Sequence, residues 1–538
     1  MSSRSESCST KSKPVGENGK LNEMALRKII LGGVALVLGL AFSGCGGGSA
    51  GTNNNTTELT DALSSNITIA DTQAGVTPFI SIVKLVGSDV SLVDSVTFTI
   101  APKPASVSSP VKVTWSKTAL SNRGDVRNTS LEVPVFGLYA GYSNDVKIQV
   151  EFNDQSVQSF DETITTQAWA DPTGIYTEPT IVQARAPGSS LGFNYFIMKS
   201  LLLSPIIVDT DGEVRWVAPA TPSQAAYYAD GQFILGSTSS TQITAIDLDG
   251  TSSDLPLQLP QSSLTGFTHN IDPGPHGLLM EFDGKDDLGT SLEDIVVEAS
   301  PNPNVPPFQV FDLADILTDY MKENGDDPTQ FVRPGVDWFH INAATYDPND
   351  NSVIVSSREN FLIKLDYLTH KIIWILGDPT KYWYTFPSLR AKALTLDAGG
   401  LYPIGQHAVS VTSDGNVMVF NDGQGSYNEP TGEPSGLTRT YSEVSVYSID
   451  TSNMTAHEVW GFDYGKTVFS SFCGSVYESP RQSYLVDFAT AAQFTQARLV
   501  GLDSNHNVVF DFQYNSPSYC SAAWNAIPIP LEDLKIDN

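Results

Sequence analysis

The amino-acid sequence predicts an all-β protein, a six-bladed β-propeller preceded by an N-terminal β-sandwich domain. The composition is one reason: the 538 residues include 42 glycines and 32 prolines, and only 17% of them are charged. Such a composition is typical of short strands joined by many turns. The other two reasons are apolar–polar alternation in the segment 67–167 and an internal repeat in the remainder of the chain.

The first 45 residues are expected to form a lipoprotein-type signal peptide. The apolar run IILGGVALVLGLAF occupies residues 29–42, which is the length of a signal-peptide core and too short for a comfortable transmembrane helix. It ends at FSGC, which resembles a bacterial lipobox, so we expect cleavage before Cys45 and lipidation of Cys45. An uncleaved anchor is the alternative, and Met24 is an alternative start. This leader predicts a periplasmic or outer-membrane-anchored protein that touches the membrane only through its lipid.

The segment after the leader divides into a tether and a small domain. Residues 46–66 are mostly Gly, Ser, Thr and Asn, which predicts a flexible tether. Residues 95–100 (SVTFTI) and 146–152 (VKIQVEF) alternate apolar and polar side chains, as half-buried strands do. The whole segment 67–167 has the length and pattern of a β-sandwich.

Residues 168–538 are predicted to form the propeller because two half-motifs recur in them. One is a polar turn followed by an apolar strand, as in DNSVIV at 350–355. The other is a strand that ends in Asp, a short turn and a strand that ends in an aromatic residue, as in LDYLTHKIIW at 365–374. Paired, they give about six four-stranded units over residues 193–513, and radial stacking would bury the faces of such units. An open β-solenoid is the competing architecture, but the repeat is long and irregular and its insertions are large.

Charge and motifs exclude several functions. The net charge is −30 and the isoelectric point is about 4.4, so nucleic acid and acidic membrane surfaces are poor partners. An anionic substrate would need a locally positive pocket. The sequence has no P-loop, GxSxG or HExxH motif, its Asp-rich turns lack the further ligands of a calcium loop, and its histidines lack the close spacing of a typical zinc site. No cofactor and no metal are therefore expected.

Two cysteines lie beyond the leader and the tether, Cys473 and Cys520. In an oxidising compartment such a pair can form a disulfide. Two buried thiols are the alternative, and the sequence alone leaves both open.

Three of the seven histidines share one context, because His269, His340 and His407 each lie just before a turn–strand half-motif. Equivalent strand edges of successive blades converge on the central channel of a propeller, so these imidazoles are expected to face one another, with Arg358 nearby. Arg offers a planar charged fork to anionic oxygens, and imidazole can serve as a nucleophile or a cationic donor. The alternative for each residue is a solvated loop histidine, or a strand-end arginine in an ion pair.

Several segments, read in order, resemble the bacterial arylsulfate sulfotransferase family. The propeller region contains DWFHIN, NSVIVSSR, KIIWILGDP, GQHAVSVTSDGNVMVFNDG and YSEVSVYSID, and the sandwich region contains VPVFGLYAGYSNDVKIQVEF. The resemblance covers most of the chain after about residue 75. Each motif alone is weak, but their ordered combination is specific.

The resemblance implies a periplasmic propeller enzyme that moves a sulfuryl group from a phenolic sulfate ester to a phenolic acceptor, without the nucleotide sulfate donor. His407 would be the nucleophile that is transiently sulfated in a ping-pong mechanism. His269, His340 and Arg358 would line the same pocket and hold the sulfate oxygens. The family includes homodimers.

This sequence departs from the family pattern in two places. Asn270 follows His269 where a second histidine or an acidic residue is frequent, and residues 423–436 form a Gly/Pro-rich insertion that is expected to shape the acceptor side. Two other functions stay open on the sequence: a catalytically silent extracytoplasmic binding propeller, and an aryl sulfatase-like hydrolase with water as acceptor.

Overall fold

The computed structural model describes residues 66–537, except for residues 204, 220–224, 230, 260–263 and 286–288. The predicted signal peptide, Cys45 and all but the last residue of the tether 46–66 lie outside the described residues. Within the described ranges, no helix is long and apolar enough to cross a membrane.

The N-terminal domain is a sandwich of two sheets. Its strands alternate inward apolar and outward polar residues, and Phe98 meets Phe136 of the facing sheet edge-on at 5.3 Å between ring centroids. The elements are β1 (Ile67–Ala74), β2 (Ile80–Gly87), the 3-10 turn η1 (Ser88–Leu92), β3 (Val93–Ile100), β4 (Val111–Ser116), α1 (Lys117–Asn122), β5 (Val126–Arg127), β6 (Ser130–Phe136), β7 (Ser143–Phe152) and β8 (Val157–Thr165). One sheet has the order β1-β2-β6-β5, and the other contains β4-β3-β7-β8.

The C-terminal strand β35 (Leu534–Ile536) also belongs to this sandwich. It pairs in parallel with β4, so that Leu534 lies opposite Val113 and Ile536 opposite Trp115. The sequence placed all of residues 168–538 in the propeller, and these last residues depart from that division. The physical reason is that Leu534 and Ile536 bury their side chains in the sandwich core, whereas a three-residue strand is too short to show which sheet it joins.

Six further sheets form the propeller. Their strands are β9 (Thr180–Gln183), β10 (Tyr195–Lys199), β11 (Ile206–Asp209), β12 (Val214–Val217), β13 (Ala225–Ala229), β14 (Gln232–Gly236), β15 (Ile243–Asp247), β16 (Ser252–Leu255), β17 (Gly266–Pro273), β18 (Leu278–Lys285), β19 (Ser291–Ala299), β20 (Gln309–Asp312), β21 (Ile341–Asp347), β22 (Ser352–Ser357), β23 (Leu362–Asp366), β24 (Ile372–Leu376), β25 (Thr395–Leu396), β26 (Gln406–Val411), β27 (Val417–Asn421), β28 (Glu443–Asp450), β29 (Thr455–Phe462), β30 (Ser475–Glu478), β31 (Tyr484–Thr490), β32 (Gln496–Leu502), β33 (Val508–Asn515) and β34 (Asn525–Ile529).

The blades are numbered here in chain order. Blade 1 is β12-β11-β10-β34, so the C-terminal β34 completes a sheet that begins more than three hundred residues earlier. Blades 2, 3 and 4 are β13–β16, β17–β20 and β21–β24. Blade 5 is β26–β29 with β25 at its outer edge, and blade 6 is β30–β33 with β9 at its outer edge.

Buried apolar clusters join each blade to the next. Trp216 of blade 1 stacks on Phe233 of blade 2 at 5.0 Å between ring centroids, and Phe510 of blade 6 stacks on Phe196 of blade 1 at 5.9 Å. Similar clusters lie between blades 2 and 3, 3 and 4, 4 and 5, and 5 and 6. Packing therefore runs from each sheet to the next and from the sixth back to the first, and the predicted fold class is confirmed.

Short helices and 3-10 turns lie in the connections between strands of blades 3 to 6. The largest is α2 (Leu313–Glu323), which is capped by the Asp312 carboxylate accepting from the backbone N–H of Asp315 at 3.0 Å. The others are η2 (Pro328–Gln330), η3 (Tyr382–Thr385), α3 (Pro387–Arg390), η4 (Tyr464–Lys466) and α4 (Ala491–Phe494).

We expect a truncation of residues 525–538 to destabilise the ring much more than a truncation of residues 534–538. The longer deletion removes β34 and its buried apolar side chains from blade 1, whereas the shorter one removes only the edge strand β35. Loss of β34 should lower the melting temperature by about 10 °C or more. Thermal unfolding followed by circular dichroism measures this difference, and equal melting temperatures for the two truncations would contradict the closure of blade 1 by β34.

Candidate active site

Three neighbouring blades each bring one histidine to the channel end of the innermost strand. His269 lies in β17, His340 immediately precedes β21, and His407 is the second residue of β26. The register of each inner strand with its neighbour is interrupted at this place, between Phe267 and Ile271, between Ile341 and Ala343, and between His407 and Ser410. Such irregularities re-aim side chains and are frequent beside active sites.

His340 is a half-buried cation. Its Nδ1 lies 2.5 Å from Oδ2 of Asp337 and 3.1 Å from Oε2 of Glu293, and its backbone is in the left-handed region with φ 50°. Burial alone would favour the neutral ring, but Glu293 and Asp337 together raise the pKa of His340 to about 9. The protonated imidazole is therefore the dominant form near neutral pH.

His269 is a neutral ring in the same cluster. Its Nδ1 is hydrogen-bonded to Oγ1 of Thr268 at 2.5 Å, and its ring centroid lies 5.4 Å from that of His340 and 5.9 Å from that of Trp524. Burial holds the pKa of His269 well below its usual value, and the neighbouring His340 acts in the same direction. The following residue, Asn270, accepts a hydrogen bond from Nζ of Lys199 at 2.7 Å and donates one to the Asn342 carbonyl at 3.3 Å.

His407 is neutral, and its tautomer is set by the backbone. Its Nδ1 lies 2.8 Å from the carbonyl oxygen of Gly405, so Nδ1 carries the proton and Nε2 keeps its lone pair. Burial, followed by the positive charge of Arg358, lowers the pKa of His407 to about 3. Gly405 has φ 59°, and a Cβ there would collide with the carboxylate of Asp422. The loop thus needs glycine at this position.

Arg358 follows β22 and is almost completely buried. Its backbone N–H donates to the His340 carbonyl at 3.0 Å. Its Nη1 donates to Glu359 at 2.9 Å, and its Nη2 donates to Asp422 at 3.2 Å. The sequence predicted that the guanidinium fork would face sulfate oxygens, but two carboxylates hold its ends in this structure. Nε is buried without a hydrogen-bond partner.

Glu359 connects Arg358 to the Gly/Pro-rich insertion at residues 423–436. Its Oε1 accepts from Arg358, while its Oε2 accepts the backbone N–H groups of Tyr427 at 2.7 Å and Asn428 at 2.9 Å. The insertion thereby places the Tyr427 ring against the guanidinium, with 4.5 Å between Cζ of Arg358 and the ring centroid. The insertion is thus part of the wall around the site.

The structure brings all four predicted residues together. His269 and His340 are in ring contact, and the charges of His340 and Arg358 both lower the pKa of His407. Sequence reasoning missed the acidic partners and the aromatic wall, which are Glu293, Asp337, Glu359, Asp422 and Trp524. Asp337 and Glu359 gave a local signal, because Asp337 stands three residues before His340 in DWFHIN and Glu359 directly follows Arg358.

The site also has the donor spacing of a metal site. One ligand atom each from His269, Glu293 and His340 lies within 4.8 Å of the others. The sequence argued against a metal because the histidines are far apart along the chain. The fold removes that objection, since it places His269 and Glu293 of blade 3 next to His340, which precedes blade 4. A metal ion would have to displace the proton of His340, so protonation and metal binding exclude each other here.

Cys473 and Cys520 are joined by a disulfide, with their Cα atoms 6.4 Å apart. The two residues stand in the loops that precede β30 and β34, the innermost strands of blades 6 and 1. The bridge therefore links two neighbouring blades beside the channel.

Comparison with known proteins identifies the family. The family model described as arylsulfotransferase (ASST) matches residues 186–524, and the model of the arylsulfotransferase Ig-like domain matches residues 79–168. This chain belongs to the arylsulfotransferase family. The propeller and the sandwich described above each correspond to one of the two matched domains.

The chain also matches two individual proteins, each over a shorter segment than the family model. The chain is 31% identical over 150 residues to the arylsulfate sulfotransferase AssT of Escherichia coli O6:H1, a stretch that covers 25% of this chain and 24% of that protein. It is 30% identical over 144 residues to the AssT of Lelliottia amnigena, covering 24% and 23%. The aligned part thus spans about a quarter of the length of these curated relatives.

Among solved structures, the β-propeller domain of Myceliophthora thermophila Cps50 (Swd1) matches at a TM-score of 0.32 and 10% identity. The match covers 63% of this chain and 90% of that one.

We expect Asp337→Asn to lower the pKa of His340 from about 9 toward the ordinary value of histidine. The carboxylate at 2.5 Å stabilises the imidazolium, so its loss favours the neutral ring, while the amide oxygen can still accept the backbone N–H of Glu293. Histidine ring signals from a pH titration by NMR report this pKa. Asp397→Asn is the matched control, because Asp397 lies 3.2 Å from the exposed His457. An unchanged titration of His340 in Asp337→Asn would contradict the assignment.

Proposed function

We propose that this protein is an arylsulfate sulfotransferase, which moves a sulfuryl group from a phenolic sulfate ester to a phenolic acceptor through a sulfated His407. Membership of the arylsulfotransferase family and the names of the two AssT relatives support the reaction class. The observation that carries the mechanism is the state of His407. It is a buried neutral imidazole with Nδ1 fixed on a carbonyl and Nε2 available as a nucleophile.

In the first half-reaction, Nε2 of His407 attacks sulfur. The N–S bond forms while the ester S–O bond breaks, and its electron pair leaves on the phenolate oxygen. The ring of His407 becomes positive, and the Gly405 carbonyl stabilises it through the hydrogen bond from Nδ1. The Arg358 charge and the cationic His340 offset the charge on the sulfuryl oxygens.

The departing phenolate is protonated by His340. The pKa of His340, about 9, is close to the value near 10 of an ordinary phenol, which suits proton transfer in both directions. In the second half-reaction the acceptor phenol returns a proton to His340 and attacks the same sulfur, and the N–S bond breaks. Donor and acceptor therefore use one pocket in turn, and no net proton is lost.

Two other functions are outcomes of the same assay. A hydrolase would release phenol continuously from an aryl sulfate with no acceptor present and would form inorganic sulfate. A silent binding propeller would release none. Transfer is distinguished by a sulfated product that appears only when a second phenol is added.

The expected outcome without an acceptor is a burst of phenol equal to about one per active site. Intact-mass analysis at mildly alkaline pH should show one added sulfuryl group, which peptide mapping should place on His407. His407→Asn should abolish the burst and the adduct, whereas the control His457→Asn, on an exposed strand position, should keep both. Normal turnover by His407→Asn, or kinetics that require both phenols bound at once, would rule out the covalent mechanism.

We also propose that the protein is carried to the periplasm or the outer membrane as a lipoprotein, on the basis of the leader sequence alone. Mass spectrometry of the mature N-terminus should find Cys45 as the first residue, carrying acyl chains. Cys45→Ser should leave the leader uncleaved. A mature protein with an unmodified Cys45 would contradict the proposal.

A further inference from the structure

Four aromatic side chains form a contiguous cluster beside Arg358, which we call the aromatic shelf: Tyr427, Phe472, Tyr519 and Phe494. Tyr427 stacks on Phe472 with 5.1 Å between ring centroids and 10° between ring planes. Phe472 meets Tyr519 at 4.7 Å, and Tyr519 stacks on Phe494 at 5.6 Å. Phe472 also meets Phe494 at 6.1 Å, so Phe472 contacts the other three rings, with Tyr427 on one side and the pair Tyr519 and Phe494 on the other.

The shelf is open to solvent. Tyr427 is 50% exposed, Tyr519 46% and Phe494 40%, while Phe472 is half-buried between its neighbours. Burying aromatic rings away from water is favourable, so a contiguous group of exposed rings indicates a binding surface. Tyr427 comes from the insertion at residues 423–436, Phe472 and Phe494 come from segments of blade 6, and Tyr519 comes from the loop before β34 of blade 1. They are therefore adjacent only because the fold brings them together.

The backbone that presents the outer end of the shelf is in an unfavourable conformation. Ala492, Gln493 and Phe494 are consecutive residues with φ of 51°, 59° and 70°, which makes α4 a left-handed turn built without glycine. Residues with a Cβ avoid this region, and such backbone conformations concentrate at binding and catalytic sites. The turn holds the Phe494 ring against Tyr519.

The disulfide fixes the middle of the shelf. Cys473 directly follows Phe472, Cys520 directly follows Tyr519, and the two cysteines are bonded to each other. Both cysteines have positive φ, 56° and 48°. The cross-link thus holds two rings from separate loops at stacking distance, as a preorganised surface requires.

The inner end of the shelf is continuous with the catalytic cluster. Cζ of Arg358 lies 4.5 Å from the Tyr427 centroid and 4.9 Å from the Phe472 centroid, and its Nη2 lies 3.5 Å from the carbonyl oxygen of Ser471. A phenol whose oxygen is at the sulfuryl group would place its first ring near this end.

We propose that the aromatic shelf binds the distal rings of multi-ring phenols and makes them better acceptors than single-ring phenols. This inference rests on the proposed transferase function. A single ring anchored at the reacting oxygen can stack only on the inner members, Tyr427 and Phe472. A second ring, joined to the first, extends over Tyr519 and Phe494 and gains their stacking and the burial of their exposed faces.

The test compares phenol with 4-phenylphenol as acceptors, with 4-nitrophenyl sulfate as donor, in the wild type, Tyr519→Ala and Phe494→Ala. Stacking contacts of this kind correspond to about a threefold to tenfold change in affinity. Each variant should raise the KM for 4-phenylphenol by that factor and leave the KM for phenol and both kcat values within about twofold. The matched control is Leu368→Ala, because Leu368 is an exposed apolar side chain (68%) in the turn between β23 and β24.

A binding measurement separates failure of the shelf from failure of the proposed function. Calorimetric titration of 4-phenylphenol into the same four proteins needs no turnover, and the two shelf variants should bind it about threefold to tenfold more weakly than the wild type and Leu368→Ala. Equal binding to all four proteins, or KM changes that are the same for both phenols, would overturn the shelf proposal. If no sulfuryl transfer occurs but the shelf variants lose affinity for 4-phenylphenol, the shelf proposal stands as a binding site and the transferase proposal fails.

Discussion

The buried ion cluster of Arg358, Glu359 and Asp422 is the interaction on which the site depends. Removing one member of such a cluster leaves an uncompensated charge in the interior, which typically costs about 3–5 kcal/mol. The cluster has three consequences beyond stability. Burial, and after it the Arg358 charge, lowers the pKa of His407 and keeps the ring neutral. The second oxygen of Glu359 holds the insertion at residues 423–436, and the guanidinium face contacts the inner end of the aromatic shelf.

The propeller supplies a geometry that no single sheet could. Each blade contributes one inner strand to the channel, and a local irregularity at the start of that strand turns a histidine inward on three successive blades. Identical imidazoles then acquire different protonation because their neighbours differ. Two carboxylates beside His340 make it a cation, whereas burial and the nearby charge of Arg358 keep His407 neutral. This separation of roles among like groups is a recurrent feature of acid–base sites.

Local patterns in the sequence identified what depends on neighbours along the chain. Alternation predicted the sandwich strands, the repeated half-motifs predicted the blades, and their common register predicted that His269, His340 and His407 would meet. Pairing between segments that are distant along the chain gave no comparable local pattern in the sequence. The sequence of β34 is NAIPI. It is short and does not alternate apolar and polar residues, so it does not indicate that this strand completes blade 1. Glu293 is one of 60 acidic residues in the chain, and only the packing of blade 3 against blade 4 distinguishes it. The sequence also did not identify Asp422 as a partner of Arg358, since Asp422 follows β27 in blade 5.

Under the proposed function, the charge balance of the site accounts for how an acidic protein would accept an anionic ester. The fixed cations of the site, Arg358 and His340, each face two carboxylates, so the cluster is not strongly positive by itself. Burial raises the pKa of Asp422 to about 7 and also raises the pKa of Glu293, so both carboxylates titrate near neutral pH rather than near 4. An arriving sulfate ester repels these carboxylates and favours their protonation, which leaves more of the positive charge of Arg358 and His340 for the anion. Under the proposed function, we therefore expect binding of the sulfate ester to be coupled to proton uptake within the site, which would offset locally the chain's net charge of −30.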